Sequence, residues 1–159
     1  MTNAIKAWIK GLDLHGKIVE FGAYDVNGSV REFFKGESDK YIGMDVRAGP
    51  GVDIVGDAHN AYMLLPSEWS NVNAVLCLEM LEHDKKPLAT LCSANVMLMH
   101  GGLLVVTVPT FGYARHEDPV DYWRFSEAGL RALFDMAGFE VLACADVEDN
   151  HLYAIARKP

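Results

Sequence analysis

Two acids stand where apolar runs give way to a turn or loop. Glu20 lies in Ile18-Val-Glu-Phe21, just ahead of Gly22, and Asp45 follows Tyr41-Ile-Gly-Met44, about twenty residues beyond that glycine. Two carboxylates near one crevice suit a hydroxyl-rich or cationic ligand better than a bare phosphate, since they accept hydrogen bonds and repel anions. A dinucleotide site would want G-x-G-x-x-G, whereas this turn reads Gly22-Ala-Tyr-Asp-Val-Asn-Gly28 with glycine only at its ends. Further along, Glu79, Glu82 and His83 follow the apolar run Asn73-Ala-Val-Leu-Cys-Leu78. That E-x-x-E-H string lacks the paired histidines of zinc motifs, so no metal is expected. His83 reads either as bordering a reaction site or as making a structural hydrogen bond. The loop from Thr110 to Phe125 crowds Tyr113, Arg115, His116, Asp118, Asp121, Tyr122, Trp123 and Arg124 together, the mixture of aromatic and titratable groups from which loops build recognition sites. Its plainer reading is a solvated loop whose Trp123 and Phe125 plug the core. His116 and His83 are the side chains tuned near neutral pH, and hence the candidate general bases.

Positioning these groups takes strands whose carboxyl ends meet. Ile18 to Phe21 reads as a buried strand of a parallel sheet that breaks at Gly22. Val30, Phe33 and Phe34 fall on one helical face, so the segment Val30 to Lys35 is expected to form a helix after the glycine turn. Strand, turn and helix would then make a cradle, with the unpaired N–H groups of the helix start and a glycine that lets a ligand approach the backbone. Strands are also expected over Tyr41 to Met44, Val52 to Val55, Asn73 to Leu78 and Leu103 to Val108. In an open parallel sheet ligands sit outside the carboxyl ends, so Cys77, Leu78 and Glu79 should face the crevice. A helix over Lys86 to Met99 would present Leu88, Leu91, Cys92, Asn95, Val96 and Met99 at helical spacing, with Pro87 in its first turn. Ser126 reads as the N-cap of a helix ending at Gly138, with Leu130, Leu133, Phe134 and Ala137 inward. Phe139 to Val147 and His151 to Ala156 read as a terminal hairpin. Ile5, Trp8, Ile9 and Leu12 predict a short amphipathic helix near the start.

Taken together, Val19-Glu-Phe-Gly22, Gly43-Met-Asp45, Asp53-Ile-Val-Gly-Asp-Ala58, Val75-Leu-Cys-Leu-Glu-Met-Leu-Glu-His83 and Gly101-Gly-Leu-Leu-Val-Val-Thr-Val-Pro109 resemble the class I S-adenosylmethionine (SAM) dependent methyltransferases. The resemblance is to the small ones, of the Methyltransf_11/Methyltransf_23 type, and with the hairpin it spans nearly the whole chain in the family's order. The glycine loop departs from the family's common G-x-G-x-G, with Tyr24 and Asn27 at flexible positions. What the resemblance implies is an α/β, Rossmann-like, doubly wound, seven-stranded and mostly parallel sheet with a C-terminal antiparallel hairpin. It implies SAM as cofactor, bound by Glu20, Gly22, Ala23, Tyr24, Asp45, Val46, Asp57, Ala58, Leu78 and Glu79, with Glu20 through Gly22 on the methionine side, Asp45 at the ribose hydroxyls and Asp57 with Ala58 at the adenine. Asp57 has a second reading as the cap of the turn containing His59 to Met63. His116 and His83 would serve as base, and Tyr113, Arg115, Asp118, Tyr122 and Trp123 would contact the methyl acceptor.

A chain of 159 residues, half of them hydrophobic, is expected to be one domain over residues 1–159 with a full core. A formal net charge of −8 without a basic tract argues against phosphate-backbone contact with nucleic acid and against docking on anionic lipid. Cys77, Cys92 and Cys144 have neither disulfide-framework nor zinc spacing and are expected as reduced, buried thiols. With no signal-peptide core or spanning apolar run, a cytoplasmic location is expected. The expected partner is a small-molecule methyl acceptor, and nothing in the sequence speaks to oligomeric state. Two other functions fit parts of the pattern: a NAD-dependent oxidoreductase, favoured by Asp45 but not by the glycine turn or the hairpin, and a non-catalytic methyltransferase-like binding module or partner subunit.

Overall fold

Strands β1 (Lys17–Phe21) and β4 (Val72–Leu78) are apolar on both faces, and they lie side by side and parallel, Val19 opposite Val75 and Phe21 opposite Cys77. The structure, a computed structural model, describes residues 2–36, 40–115, 119–147 and 150–159. Beyond β1 lie β2 (Lys40–Asp45) and the two-residue β3 (Ile54–Val55); beyond β4 lies β5 (Leu98–Pro109). The hairpin of β6 (Glu140–Val147) and β7 (His151–Arg157) completes the sheet in the order β3-β2-β1-β4-β5-β7-β6. The first five strands are parallel, and β7 runs antiparallel to both neighbours, with Val106 opposite Ala154. The order reverses at β1, since its chain continues to one side in β2 and to the other in β4. A crevice must open there at the strands' carboxyl ends.

Strand alternation sends side chains to two cores. Val19, Phe21, Val75, Cys77, Leu104 and Val106 pack with Leu91, Ala94 and Met97 of α3 (Pro87–Met97) and with Leu130 and Phe134 of α4 (Glu127–Met136). Ile18, Leu76, Leu78 and Val105 face the other way, against Ile5 and Ile9 of α1 (Asn3–Lys10), Val30 and Phe34. Each such fully buried aliphatic side chain stabilises the fold by roughly 1.5–3 kcal/mol. Ser126 caps α4 by accepting from the Gly129 N–H at 3.1 Å, as its sequence position predicted. A four-residue turn of helix, α2 (Ala61–Leu64), packs on α3.

Three expectations fail. The helix over Val30 to Lys35 is absent, and only Arg31–Phe33 forms a single 3₁₀ turn. Few residues separate Gly28 from Gly36, and β-branched and aromatic side chains favour helix weakly; Val30 and Phe34 anchor a loop instead, both buried beside α1. The helix α3 stops at Met97, β5 starts at once, and the buried stripe is Thr90, Leu91, Ala94 and Met97, with Val96 and Met99 exposed. Apolar residues surround α3 on nearly all sides, so spacing could not choose its inner face. For the same reason Cys92 is exposed, while Cys77 and Cys144 are buried and all three thiols are free.

Candidate functional site

A cleft of about 810 Å³ runs over the carboxyl ends of β2, β1 and β4, within the size range of ligand sites. Glu20, Gly22, Ala23, Tyr24, Asp45, Val46, Asp57, Ala58, Leu78 and Glu79 all line it, as do His83, Tyr113 and Tyr122. Cys77 does not: the alternation of β4 turns it into the α3 core. Gly22 makes the sharp exit from β1 at φ 77°, and a Cβ there would lie 2.6 Å from Cβ of Met80.

Without the helix, the cradle beside β1 works differently from the sequence expectation. The N–H groups of Gly22 and Ala23 both donate to the Met44 carbonyl, at 2.9 and 3.1 Å, so neither is spare for an anion. The loop beyond is tied down by Asp25, whose N–H donates to Pro50 O at 2.8 Å and whose carboxylate accepts from Gly28 N at 2.5 Å. Arg31 holds the far side, forking onto Asp53 and donating to Gly51 O at 3.1 Å. Despite burial, which pushes the Asp53 carboxyl up, the Arg31 bonds and the Gly43 N–H keep it below the usual carboxylate range.

Each carboxylate of the cleft is fixed by a different device. Glu20 is 4% exposed and accepts from the Tyr41 hydroxyl at 2.6 Å. Burial raises its pKa from 4.5 to about 7, against the lowering influence of Tyr41 and of Arg31, whose guanidinium lies 4.9 Å from the Tyr41 ring centre. Asp45 accepts from Tyr24 N at 3.2 Å and from Arg47 N at 2.9 Å, which draws both loops to the end of β2; Arg47 in turn lies over the Tyr24 ring at 4.7 Å. Asp57 caps the following turn by accepting from His59 N at 2.9 Å, so the capping geometry is present, and the residue lines the cleft as well. His59 links onward to Asp84 at 2.8 Å, where Thr90 Oγ1 donates at 2.6 Å.

The other end of the cleft is acidic and partly closed. Glu79 adopts φ 54°, rare for a residue with a Cβ, and its carboxylate lies 2.9 Å from Nε2 of the buried His151. The His151 ring meets Tyr113 edge-on, 4.6 Å between centres. Glu82 is fully buried, and burial first, then the neighbouring Glu79, push its pKa well above the ordinary value. His83 has Nε2 at 3.6 Å from Glu82 and Nδ1 at 3.0 Å from Val120 O, so it both borders the cleft and makes a structural contact. The loop 119–124 is pinned by Tyr122 N and Trp123 N, both donating to Glu82 O, and by Trp123 Nε1, which donates to Asp84 O at 2.6 Å. Arg124 forks onto the buried Asp121 and also bonds Ala114 O.

Of the acceptor-loop candidates, Tyr113 and Tyr122 reach the cleft, while Arg115 and Trp123 border a second hollow of about 420 Å³ whose wall the two tyrosines share. His116 and Asp118 lie outside the described residues. Sequence reasoning missed His151 and Asp84 as parts of the site, and it named Asp121 and Arg124 without their pairing. His151 opens β7 opposite Pro109, a placement that only the antiparallel return of the hairpin creates.

No family model and no curated protein matches the sequence. Solved structures do match. A SAM-dependent methyltransferase of Aquifex aeolicus is 15% identical with a TM-score of 0.73, over 98% of this chain and 89% of that one. One from Archaeoglobus fulgidus is 16% identical at TM-score 0.72, over 98% and 93%. The 1,6-didemethyltoxoflavin-N1-methyltransferase of Burkholderia thailandensis, solved with bound 1,6-didemethyltoxoflavin and S-adenosylhomocysteine, is 17% identical at TM-score 0.76, over 98% and 77%. The chain has the class I methyltransferase fold, terminal hairpin included.

Proposed function

We propose that residues 1–159 act as one SAM-dependent methyltransferase domain on a small-molecule acceptor. The observation that carries this reading is the convergence of ten residues, chosen from separate sequence segments, on one cleft at the point where the strand order reverses. The donor set fits the cofactor. The cleft carries Glu20, Asp25, Asp45, Asp57, Glu79, Glu82 and Asp84 against Arg47 and Lys85, a charge balance suited to a sulfonium, an ammonium and a ribose diol. Gly22 lets the chain turn sharply out of β1 at the edge of the cleft, where Met80 packs too close for a Cβ. In this reading Asp45 at the end of β2 takes the ribose diol, and Ala58 with the Asp57 carboxylate takes adenine; that all three line the one cleft supports it. When bound, SAM supplies an activated methyl group; the chain's own part is to align the acceptor, exclude water and take a proton where one is released.

The missing helix after Gly22 removes the N-terminus on which a pyrophosphate would sit, which tells against the nicotinamide alternative. It also favours a second reading, a methyltransferase-fold module that holds SAM weakly or not at all, since the N–H groups of Gly22 and Ala23 are already bonded. Incubation with methyl-labelled SAM and a cell-derived small-molecule extract separates the two. Label transferred by the wild type and not by Asp45→Ala supports catalysis; SAM bound weakly or not at all, with no label moved, supports the module. No helix among the described residues is long and apolar enough to cross a membrane. Free thiols in all three cysteines support a reducing, cytoplasmic location.

A further inference from the structure

Glu82 carries a carboxyl group that its surroundings leave unanswered. It lines the cleft, is fully buried, and neither oxygen has a hydrogen-bond partner among the described residues. A buried polar group left bare costs about 1–3 kcal/mol. The local cations do not relieve it: His83 Nε2 stops 3.6 Å away, and Arg124 is committed to Asp121. Beside it, Glu79 places one oxygen on His151 and leaves the other bare, on a backbone held in the left-handed region. Bare buried acceptors and local strain coinciding at a cleft mark the place where a ligand supplies what the chain lacks.

Three bare carboxyl oxygens require donors, and an ammonium offers three donors and no acceptor. The neighbouring walls suit the same group. Tyr113 and Tyr122 line the cleft beside the acids, and an ammonium already lies over the Tyr122 ring, that of Lys85 at 5.5 Å. Behind these two tyrosines the second hollow is bordered by Phe111 and Trp123, which are 74% and 43% exposed, flat apolar surface with room for a ring.

We propose that the acceptor end of the cleft is a site for a primary amine on a flat aromatic body, the nitrogen held by Glu82 and Glu79 and the ring lodged between Tyr113 and Tyr122. As a statement about the methyl acceptor it rests on the methyltransferase reading; as a binding site it does not. The proton balance is simple. One N–H bond of the ammonium breaks, the proton joins a carboxylate oxygen of the pair, and the electron pair stays on nitrogen as the lone pair a methyl acceptor needs. Burial gives Glu82 the proton affinity for this, and the groups facing it are Glu79, His83, Asp121 and Arg124.

The test is calorimetric titration of the full chain, saturated with S-adenosylhomocysteine, with phenethylamine, 2-phenylethanol and 3-phenylpropanoate. The amine should bind at least about tenfold more tightly than the alcohol or the acid, and Glu82→Gln should lose about tenfold in amine affinity while binding the alcohol as the wild type does. Equal binding of amine and alcohol by the wild type, or undiminished amine binding by Glu82→Gln, overturns the proposal. The wild-type comparison decides the matter even if the variant does not fold. Failure of S-adenosylhomocysteine to bind would refute the cofactor reading alone, and the same three titrations on the free chain would still uphold or overturn the amine site.

Discussion

Replacing Glu20 by glutamine should make the unliganded protein more stable at alkaline pH while weakening it as a binder. Glu20 is all but enclosed between Tyr41 and the crevice floor, and its carboxyl is raised from 4.5 to about 7 by burial above all, with Asp25 and Asp45 adding to the rise. The unfolded chain releases this proton near pH 4.5 and the folded chain near pH 7, so between those values the folded state holds a proton that the unfolded state has lost. The contribution of Glu20 to stability is therefore complete below pH 4.5 and falls as pH rises through about 7. At 1.36 kcal/mol for each tenfold change in proton affinity, the loss comes to about 3 kcal/mol. Glutamine keeps an amide oxygen for the Tyr41 hydroxyl and has no charge to desolvate, so it escapes this loss. In urea unfolding at about pH 5 and about pH 8, the advantage of Glu20→Gln over wild type should grow by about 2.5 kcal/mol toward the higher pH. A variant that is less stable at the higher pH, or an advantage that does not grow, would refute the reasoning. A buried acid that lowers stability is retained where a ligand uses it, so the same variant should lose affinity for SAM.

Other perturbations separate holding the site from holding the fold. Asp45→Ala removes the acceptor for Tyr24 N and Arg47 N; it should cost about 1–2 kcal/mol of stability and lower S-adenosylhomocysteine affinity by about 10- to 100-fold, read by thermal unfolding and by titration. Arg31→Met frees Asp53 and Gly51 from a partly exposed ion pair, so the loss should be only about 1 kcal/mol, but protease should cut the 23–36 loop faster than in the wild type. Ser126→Ala removes the cap of α4 and should cost about 1 kcal/mol in urea unfolding without changing cofactor affinity.

The sequence displayed what is local or ordered along the chain. Ile18 to Phe21, Tyr41 to Met44 and Asn73 to Leu78 are continuous apolar runs because parallel strands are covered on both faces, and each appears as a strand of that sheet. The acids stand out against those runs: Glu20 is the next-to-last residue of β1 and Asp45 the last of β2, and both line the cleft. The failures are places where one pattern serves two structures. Val30, Phe33 and Phe34 have helical spacing, yet the same residues anchor a loop under α1 when the segment is too short to propagate a helix. Cys77 sits at the end of β4 like its neighbours, but alternation turns it away from the cleft. His151 was not legible as a site group, because it reaches Glu79 through an antiparallel return across the sheet; Glu82 was visible in the E-x-x-E-H string, but its role is defined by partners it lacks.

The measurement that bears most directly on the cofactor cleft is calorimetric titration of the purified chain with SAM and with S-adenosylhomocysteine, NAD serving as control. The arrangement of Glu20, Asp45 and Asp57 around the Gly22 exit predicts binding of both sulfur ligands in the micromolar range, about 8 kcal/mol, and none of NAD. No heat with either sulfur ligand, together with no rise in Tm at high ligand concentration, would contradict the account.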